Sequence, residues 1–264
     1  MLYLPTLLAM IDKVELLSLP GIPAVQPGDD LAALLLAAVA EAGLGLQDGD
    51  VVAVAQKIVS KAEGRAVKLA DVRPGREALG VAEKTGKDPR LVELILQESE
   101  EISRLREGLL IVRHRLGFTS ANAGIDRSNV RQEGEDVTVL LLPEDPDASA
   151  ARLRDALRAR QGVDAGVLII DSHGRPFRLG TVGVAIGVAG LPALWDRRGE
   201  PDLYGYRLQH TEVGLADEMA AAASMLMGQA AEGTPAVLIR GLQLPPLEGS
   251  ARDLVRPPEL DLYR

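Results

Sequence analysis

The residues with the most definite chemical address lie between Gly166 and Gly190, in GVLIIDSHGRPFRLGTVGVAIGVAG. Asp171 and Ser172 follow an unbroken apolar run, Val167 to Ile170, that is too short for a helix and lacks period-2 alternation, which predicts a strand buried on both faces and ending at Asp171. A carboxylate leaving such a strand stands on rigid backbone at the edge of a cleft, where it suits a hard cation. Arg175 and Arg178 add bidentate donors for phosphate or carboxylate. The same residues also make turns and caps, because Asp and Ser bond back to local amides and glycines permit tight packing. Both readings stand on these residues alone.

Other polar residues near predicted strand ends have the same double meaning. Lys61 lies in a polar loop predicted to begin at Ser60, after a buried strand over Val51 to Val54, where it suits a phosphate or is a solvated surface charge. Asp126 and Asn129, three residues apart in a Gly-punctuated segment, either face one ligand or form a turn. No GxxxxGK[ST] is present, and Gly180-Thr181-Val182-Gly183 lacks the spacing of a dinucleotide fingerprint. His114, His173 and His210 are dispersed, without HExxH or a nucleophile elbow. What remains is a set of oxygen donors of the kind Mg²⁺ and Mn²⁺ prefer.

Composition narrows the classes further. The 264 residues are 47% hydrophobic, enough for a sizeable core, but only 3% aromatic, so Leu, Val, Ile and Ala must fill it. A net charge of −9 and few rings argue against a nucleic-acid surface. The absence of cysteine excludes disulfides, thiolate nucleophiles and Cys-type metal sites. The N-terminal MLYLPTLLAM is too short to span a bilayer and has no basic flank, so it reads as a start-site extension or docking segment. No membrane span and a cytoplasmic location are expected.

The elements that must position these groups follow from punctuation and period. Strands are predicted over Lys13 to Ser18, Leu109 to Arg113, Val137 to Leu142 and Ala236 to Arg240. Helices are predicted over Leu31 to Ala42 behind Asp29-Asp30, over Glu77 to Lys84, and over Arg90 to Arg106 with Glu98, Glu100 and Glu101 on a wet face. Two more run to about Gln161, capped by Asp147 or Ser149, and from Glu212 to Gly228, capped by Thr211. Trp195 to Asp202 reads as a loop, and beyond Leu244 prolines and charges predict an extended tail.

Six blocks in order, QKIVSKAEG, NAGIDRSN, LLPEDPDASA, DSHGRPFRLGTVGVAIG, LYGYRL and ADEMAAAASMLMGQAAEGTPA, resemble the coenzyme F-420:L-glutamate ligases, or gamma-glutamyl ligases, from about Val14 to Leu242. The resemblance implies an α+β fold, a two-domain subunit with buried strands in an intertwined homodimer. Residues 12–75 plus 205–250 would form one domain, 76–204 the second, and 251–264 the tail. It implies GTP-dependent addition of L-glutamate to the lactyl-phospholactate carboxylate of the deazaflavin coenzyme F-420 precursor, and of further gamma-linked glutamates, with two divalent cations, Mg²⁺ or Mn²⁺, and a K⁺ ion.

Position by position, Asp126, Asp171, Ser172 and Gln229 match metal contacts. Leu19, Pro20, Gly21, Ile22, Gln56, Lys57, Lys61, Asn129 and the loop Met227, Gly228, Gln229, Ala230, Ala231, Glu232, Gly233 and Thr234 match regions that hold GTP. Asp126, Asp171 and Lys61 would act electrostatically. Ser172 replaces the usual Thr, His173 a common Asn, and Gln56-Lys57 the small polar residues expected there. The alternatives are a nucleotide- and metal-binding regulator without turnover, and an ATP-dependent amide ligase acting on another carboxylate.

Overall fold

The computed structural model describes residues 13–132 and 136–261; MLYLPTLLAM lies outside them. The chain begins with β1 (Glu15–Ser18), α1 (Leu31–Glu41), β2 (Val51–Ala55), α2 (Gln56–Ala62) and β3 (Ala66–Lys68). There follow α3 (Arg76–Thr85), α4 (Pro89–Gln97), β4 (Ser99–Arg106), β5 (Leu109–His114), β6 (Thr119–Ala121) and β7 (Thr138–Leu140). The last third holds α5 (Pro146–Gln161), β8 (Gly166–Arg175), β9 (Arg178–Ala189), β10 (Trp195–Asp196), β11 (Glu212–Val213), α6 (Leu215–Met227) and β12 (Ala236–Arg240). The fold is mixed α/β, consistent with the α+β class, and no helix among the described residues is long and apolar enough to cross a membrane.

A five-stranded sheet, ordered β1-β12-β2-β8-β9, is antiparallel except where β2 runs parallel to β8. Its apolar runs are continuous because both faces are covered. Val52, Val54, Val167, Ile169 and Leu238 face a core built with α1, α2 and α5. Their neighbours Val51, Ala53, Leu168, Ile170, Val237 and Ile239 face the other way, against Ala216, Met219, Ala220 and Ala223 of α6. A third core joins α3 and α4 to β5 and β7. Beside it lie the small sheets β4-β5-β6 and β3-β7.

Glycines in β9 let helices approach from both sides. A Cβ at Gly183 would stand 2.5 Å from the Ala220 carbonyl oxygen, and one at Gly187 would stand 2.4 Å from that of Pro146. The glycines are therefore packing residues, the role glycine takes where another backbone comes close.

Several boundaries differ from the sequence expectation. Residues 90–106 are not one helix: α4 stops at Gln97, and Ser99–Arg106 pairs with β5 through a turn at Gly108, whose φ of 75° favours glycine. The helical spacing of Ile102 and Leu105 yielded to strand pairing. Residues 56–62 form a helix rather than leading into a loop. β8 does not end at Asp171 but continues to Arg175, held by β9 with Asp171 opposite Val184. The α5 cap is Asp145, which accepts from the Ala148 N–H, with Pro146 at the first helical position. Glu212 belongs to β11 and pairs with Asp196, so α6 begins at Leu215 and Thr211 is not its cap. The tail carries short 3₁₀ turns at Ala251–Leu254 and Pro258–Leu260, the first closed by a Ser250–Asp253 capping box.

Glu98 is not on a wet face. It is buried, and its carboxylate meets Arg65 Nη2 at 2.8 Å, Arg115 Nε at 3.0 Å and His114 Nε2 at 3.6 Å. Burial opposes its charge, but His114, Arg65 and Arg115 prevail and hold the carboxyl at about 2, below the ordinary 4.5. Arg65 also donates to the Leu142 carbonyl, so Glu98 ties the α4–β4 corner to the end of β7. A carboxyl depressed on folding adds stability that is full above its unfolded pKa and lost as pH falls through the folded one. Stability should therefore decline from about pH 4.5 towards 2 in the wild type, and Glu98→Gln should lose about 2–3 kcal/mol at neutral pH and flatten that acid limb, measured by denaturant unfolding across pH.

Candidate active site

Parallel pairing sets Ala55 beside Ile170, so Gln56, where β2 gives way to α2, and Asp171, where β8 runs on paired with β9 alone, lie at the same level of the sheet. A cavity of 860 Å³ opens there, walled by residues 22–25, 55–58 with Lys61, segments within 120–129, residues 170–174, and 227–235. The crevice beyond the carboxyl ends of parallel strands is where α/β sheets bind ligands.

Helix α2 starts directly from β2 and ends at Glu63 and Gly64, the latter with φ 70°. Its i,i+4 geometry puts Lys57 and Lys61 on one side, facing the segment from Asp126 to Asn129. Lys57 Nζ lies 2.6 Å from Asp126 Oδ2 and donates to Ser128 Oγ at 2.7 Å. Lys61 Nζ donates to the Asn129 carbonyl at 2.7 Å. Asp126 is held further by the Ser128 N–H on Oδ1 at 2.7 Å and the Ser128 hydroxyl on Oδ2 at 3.0 Å. Asn129, at φ 55°, donates from Nδ2 to the Ala230 carbonyl at 2.9 Å, so the 126–129 turn and the 227–234 loop meet across the cleft.

These contacts set the charges. Burial works against the Asp126 carboxylate, yet Lys57 and Ser128 outweigh it and keep the carboxyl below its ordinary value. Burial and the neighbouring Lys57 ammonium lower Lys61. Asp171 Oδ2 stands 2.9 Å from His173 Nε2, and the His173 ring packs at 4.8 Å against Phe118. Gln56 is 1% exposed; its carboxamide oxygen accepts from Ser60, while Nε2 has no partner among the described residues, leaving a donor on the cleft wall.

Gln56, Lys57, Lys61, Asp126, Asn129, Asp171, Ser172 and the run Met227 to Thr234 thus line one cavity, with Ile22 at its rim. Leu19, Pro20 and Gly21 do not line it. Leu19 is fully buried with its N–H on the Ala236 carbonyl, and Gly21 packs against the Glu41 carboxylate. Arg175 and Arg178 face each other across the β8–β9 turn, away from the wall, with Arg175 Nη2 donating to the Leu179 carbonyl at 3.0 Å. Ser128, Ser120 and Ser224 line the cavity without having been singled out in the sequence. For Ser128 a signal existed: Asp-x-Ser is a local Asx turn that also fixes the carboxylate.

A sequence profile of the F420-0:Gamma-glutamyl ligase family matches residues 21–241. The chain belongs to this family. It is 50% identical over 253 residues to a protein of Methanothermobacter thermautotrophicus named coenzyme F420:L-glutamate ligase, covering 95% of this chain and 99% of that one. A protein of the same name from Methanopyrus kandleri is 51% identical over 244 residues, 91% and 93% of the two chains, and one from Archaeoglobus fulgidus is 42% identical over 252 residues, 96% and 97%.

The family resemblance implies divalent cations, and the donor set can be tested against them. Asp126, Asp171, Ser172 and Gln229 share the cavity wall and all offer oxygen, as Mg²⁺ and Mn²⁺ require. Among the described residues no three His, Asp or Glu side chains gather closely enough to hold a metal. The residues fit a cation whose shell is completed by hydroxyl, amide, water and ligand oxygens, the usual situation for Mg²⁺ with a nucleotide.

Lys57 is the main restraint on Asp126, which makes the pair testable. In Lys57→Met the Asp126 carboxyl should titrate higher than in wild type, followed by carboxyl NMR. An unchanged titration would mean that the Ser128 bonds alone hold the charge.

Proposed function

We propose that this chain is a GTP-dependent ligase that joins L-glutamate to the lactyl-phospholactate carboxylate of the deazaflavin coenzyme F-420 precursor, and then adds further gamma-linked glutamates. The observation that carries the reading is the convergence on one cavity of Lys57, Lys61, Asp126, Asn129, Asp171, Ser172 and the 227–234 loop, in a chain of this family. The relatives named coenzyme F420:L-glutamate ligase support the amino acid and the cofactor.

A free carboxylate resists attack by an amine, so it must first gain a leaving group. Attack of the precursor carboxylate on the γ-phosphorus of GTP forms a C–O–P linkage and releases GDP. The glutamate nitrogen then forms the C–N bond as the C–O bond to phosphate breaks and inorganic phosphate departs. No protein nucleophile is needed. Lys57 and Lys61 supply positive charge where the phosphates would lie, and Asn129 fixes the 227–234 loop through Ala230. Gln56 Nε2 offers a buried donor to a carbonyl or phosphate oxygen. Asp126, Asp171, Ser172 and Gln229 would hold the two divalent cations, Mg²⁺ or Mn²⁺, which when bound offset phosphate charge and orient the reacting oxygens. A K⁺ ion completes the proposed set.

A homodimer is part of this reading. Phe177 (92% exposed) and Leu179 (98%) stand at the β8–β9 turn, and Leu203 (97%) and Tyr204 (95%) between β10 and β11. Large apolar groups left this open mark interaction surfaces. The 28.0 kDa chain should sediment at twice that mass, and Leu203→Glu with Tyr204→Glu should shift it towards the monomer. A monomeric wild type would discard the assembly.

The reaction is tested by mass spectrometry of products from purified protein, GTP, Mg²⁺, L-glutamate and the deazaflavin precursor. A ladder at glutamate increments is expected, with GDP and phosphate released in step. Asp171→Asn should fold and lower the rate about 10²–10³-fold. Wild-type turnover in that variant would remove Asp171 from the machinery, and a product formed only with ATP would reassign the nucleotide.

A further inference from the structure

Behind the cleft, across His173, lies a second cavity of 250 Å³. Among the described residues His173 is the one that lines both. The second cavity is below the roughly 300 Å³ at which drug-sized sites begin, too small for a nucleotide. Its apolar surface comes from Leu116, Phe118 and the Val184–Ile186 stretch of β9.

Its wall carries charges of both signs. Asp147 and Asp217 project from the first turns of α5 and α6. Asp217 Oδ1 accepts from the Ala185 N–H at 2.9 Å, and Asp147 Oδ1 accepts from Val188 and Ala251 at 2.8 and 2.9 Å. Among the described residues neither Oδ2 has a donor. Burial, only partly offset by these bonds, holds both carboxyls above their ordinary value. Arg252 and Arg256 line the same cavity from the C-terminal segment. Both are exposed, and among the described residues neither guanidinium makes a hydrogen bond or an ion pair. Asp145 and Asp261 also line the wall, but the Asp145 carboxylate is engaged in capping α5 and Asp261 already has a partner.

Two free guanidiniums, two carboxylates with an oxygen to spare and a short apolar wall match a small zwitterion carrying a second acid group. We propose that this cavity is a binding site for an acidic α-amino acid, its carboxylates on Arg252 and Arg256 and its ammonium on Asp217. Asp217 lines this cavity together with His173, which also lines the cleft, so the ammonium end lies on the cleft side. A planar guanidinium gives each carboxylate two parallel hydrogen bonds, which favours glutamate over glutamine. That the amino acid is L-glutamate rests on the ligase reading above; the cavity and its charges do not.

Equilibrium dialysis of radiolabelled L-glutamate tests the assignment, with GDP and Mg²⁺ present and the whole chain used. Saturable binding by wild type is expected, competed about tenfold less well by L-glutamine. The Arg252→Gln, Arg256→Gln double variant should bind glutamate at least about tenfold more weakly while its GDP affinity is unchanged. Both positions are exposed, so the variant should keep the wild-type melting temperature, and each single variant should fall between. Equal glutamate affinity in the double variant, absence of saturable binding by wild type, or a parallel loss of GDP binding would each overturn the site. Ligation is assayed alongside: glutamate bound through Arg252 and Arg256 without product would sink the ligase reading and leave this site standing.

Discussion

The arrangement depends on one backbone constraint, the parallel pairing of β2 with β8. Antiparallel neighbours place opposite ends side by side, whereas this pair runs towards one edge, with Ala55, the carboxyl end of β2, opposite Ile170 of β8. The lysines of α2 and the acid of β8 are brought together by that register alone. Since side chains alternate across a sheet, a slip of one residue would exchange the two buried faces, taking Val52 and Val54 out of one core and Val51 and Ala53 out of the other. The active-site geometry is therefore protected by the full burial energy of the sheet.

A parallel pair needs a long crossover, and this chain uses it productively. Residues 56–165 carry α3, α4 and the β4-β5-β6 sheet, and the same excursion delivers Asp126, which bridges to Leu140 through two backbone hydrogen bonds. From the opposite face, α6 reaches the cleft only because Gly183 lets its backbone sit against β9. It ends at Gly228, with φ 72°, where the 227–234 loop turns into the cavity. Each wall is thus an extension of a core element, as a site that must hold charged groups apart requires.

Legibility followed the range of the forces involved. The buried strands read over Val51–Val54, Val167–Ile170 and Ala236–Arg240 were legible because continuous apolar runs need cover on both faces, and α1 and α3 because punctuation and periodicity coincide. Residues 99–106 misled because Ile102 and Leu105 also satisfy helical spacing; the partner strand that decides the matter is read only after the Gly108 turn is placed. Lys61 was ambiguous for a related reason: as a loop residue it is a lone charge, whereas as the i+4 neighbour of Lys57 on α2 it completes one cationic face. Asp126 with Asn129, taken singly, was as good a turn as a site, and the structure makes it both, since the Ser128 turn is what orients the carboxylate. The resemblance supplied the grouping of distant segments, whereas Leu19 to Gly21 and the two arginines at 175 and 178 fell beside the cavity rather than on its wall.

The resting charges of the cleft bear on how the proposed ligands would enter. Lys57 is engaged by Asp126, Lys61 by the Asn129 carbonyl and Asp171 by His173, so every ionised group on the wall already has a partner. A nucleotide arriving alone would compete with Asp126 for Lys57, and a cation arriving alone would compete with Lys57 for Asp126, finding too few side-chain oxygens to complete its shell. Arriving together, the proposed ligands would exchange one ion pair for two, since Lys57 could turn to phosphate while Asp126 held the cation. Each ligand then removes the competitor that opposed the other, and reciprocal linkage makes their binding cooperative without any movement of the sheet. Pairing the wall internally thus keeps these partly buried charges from standing unpaired, and would reserve strong binding for the proposed nucleotide and metal as a unit.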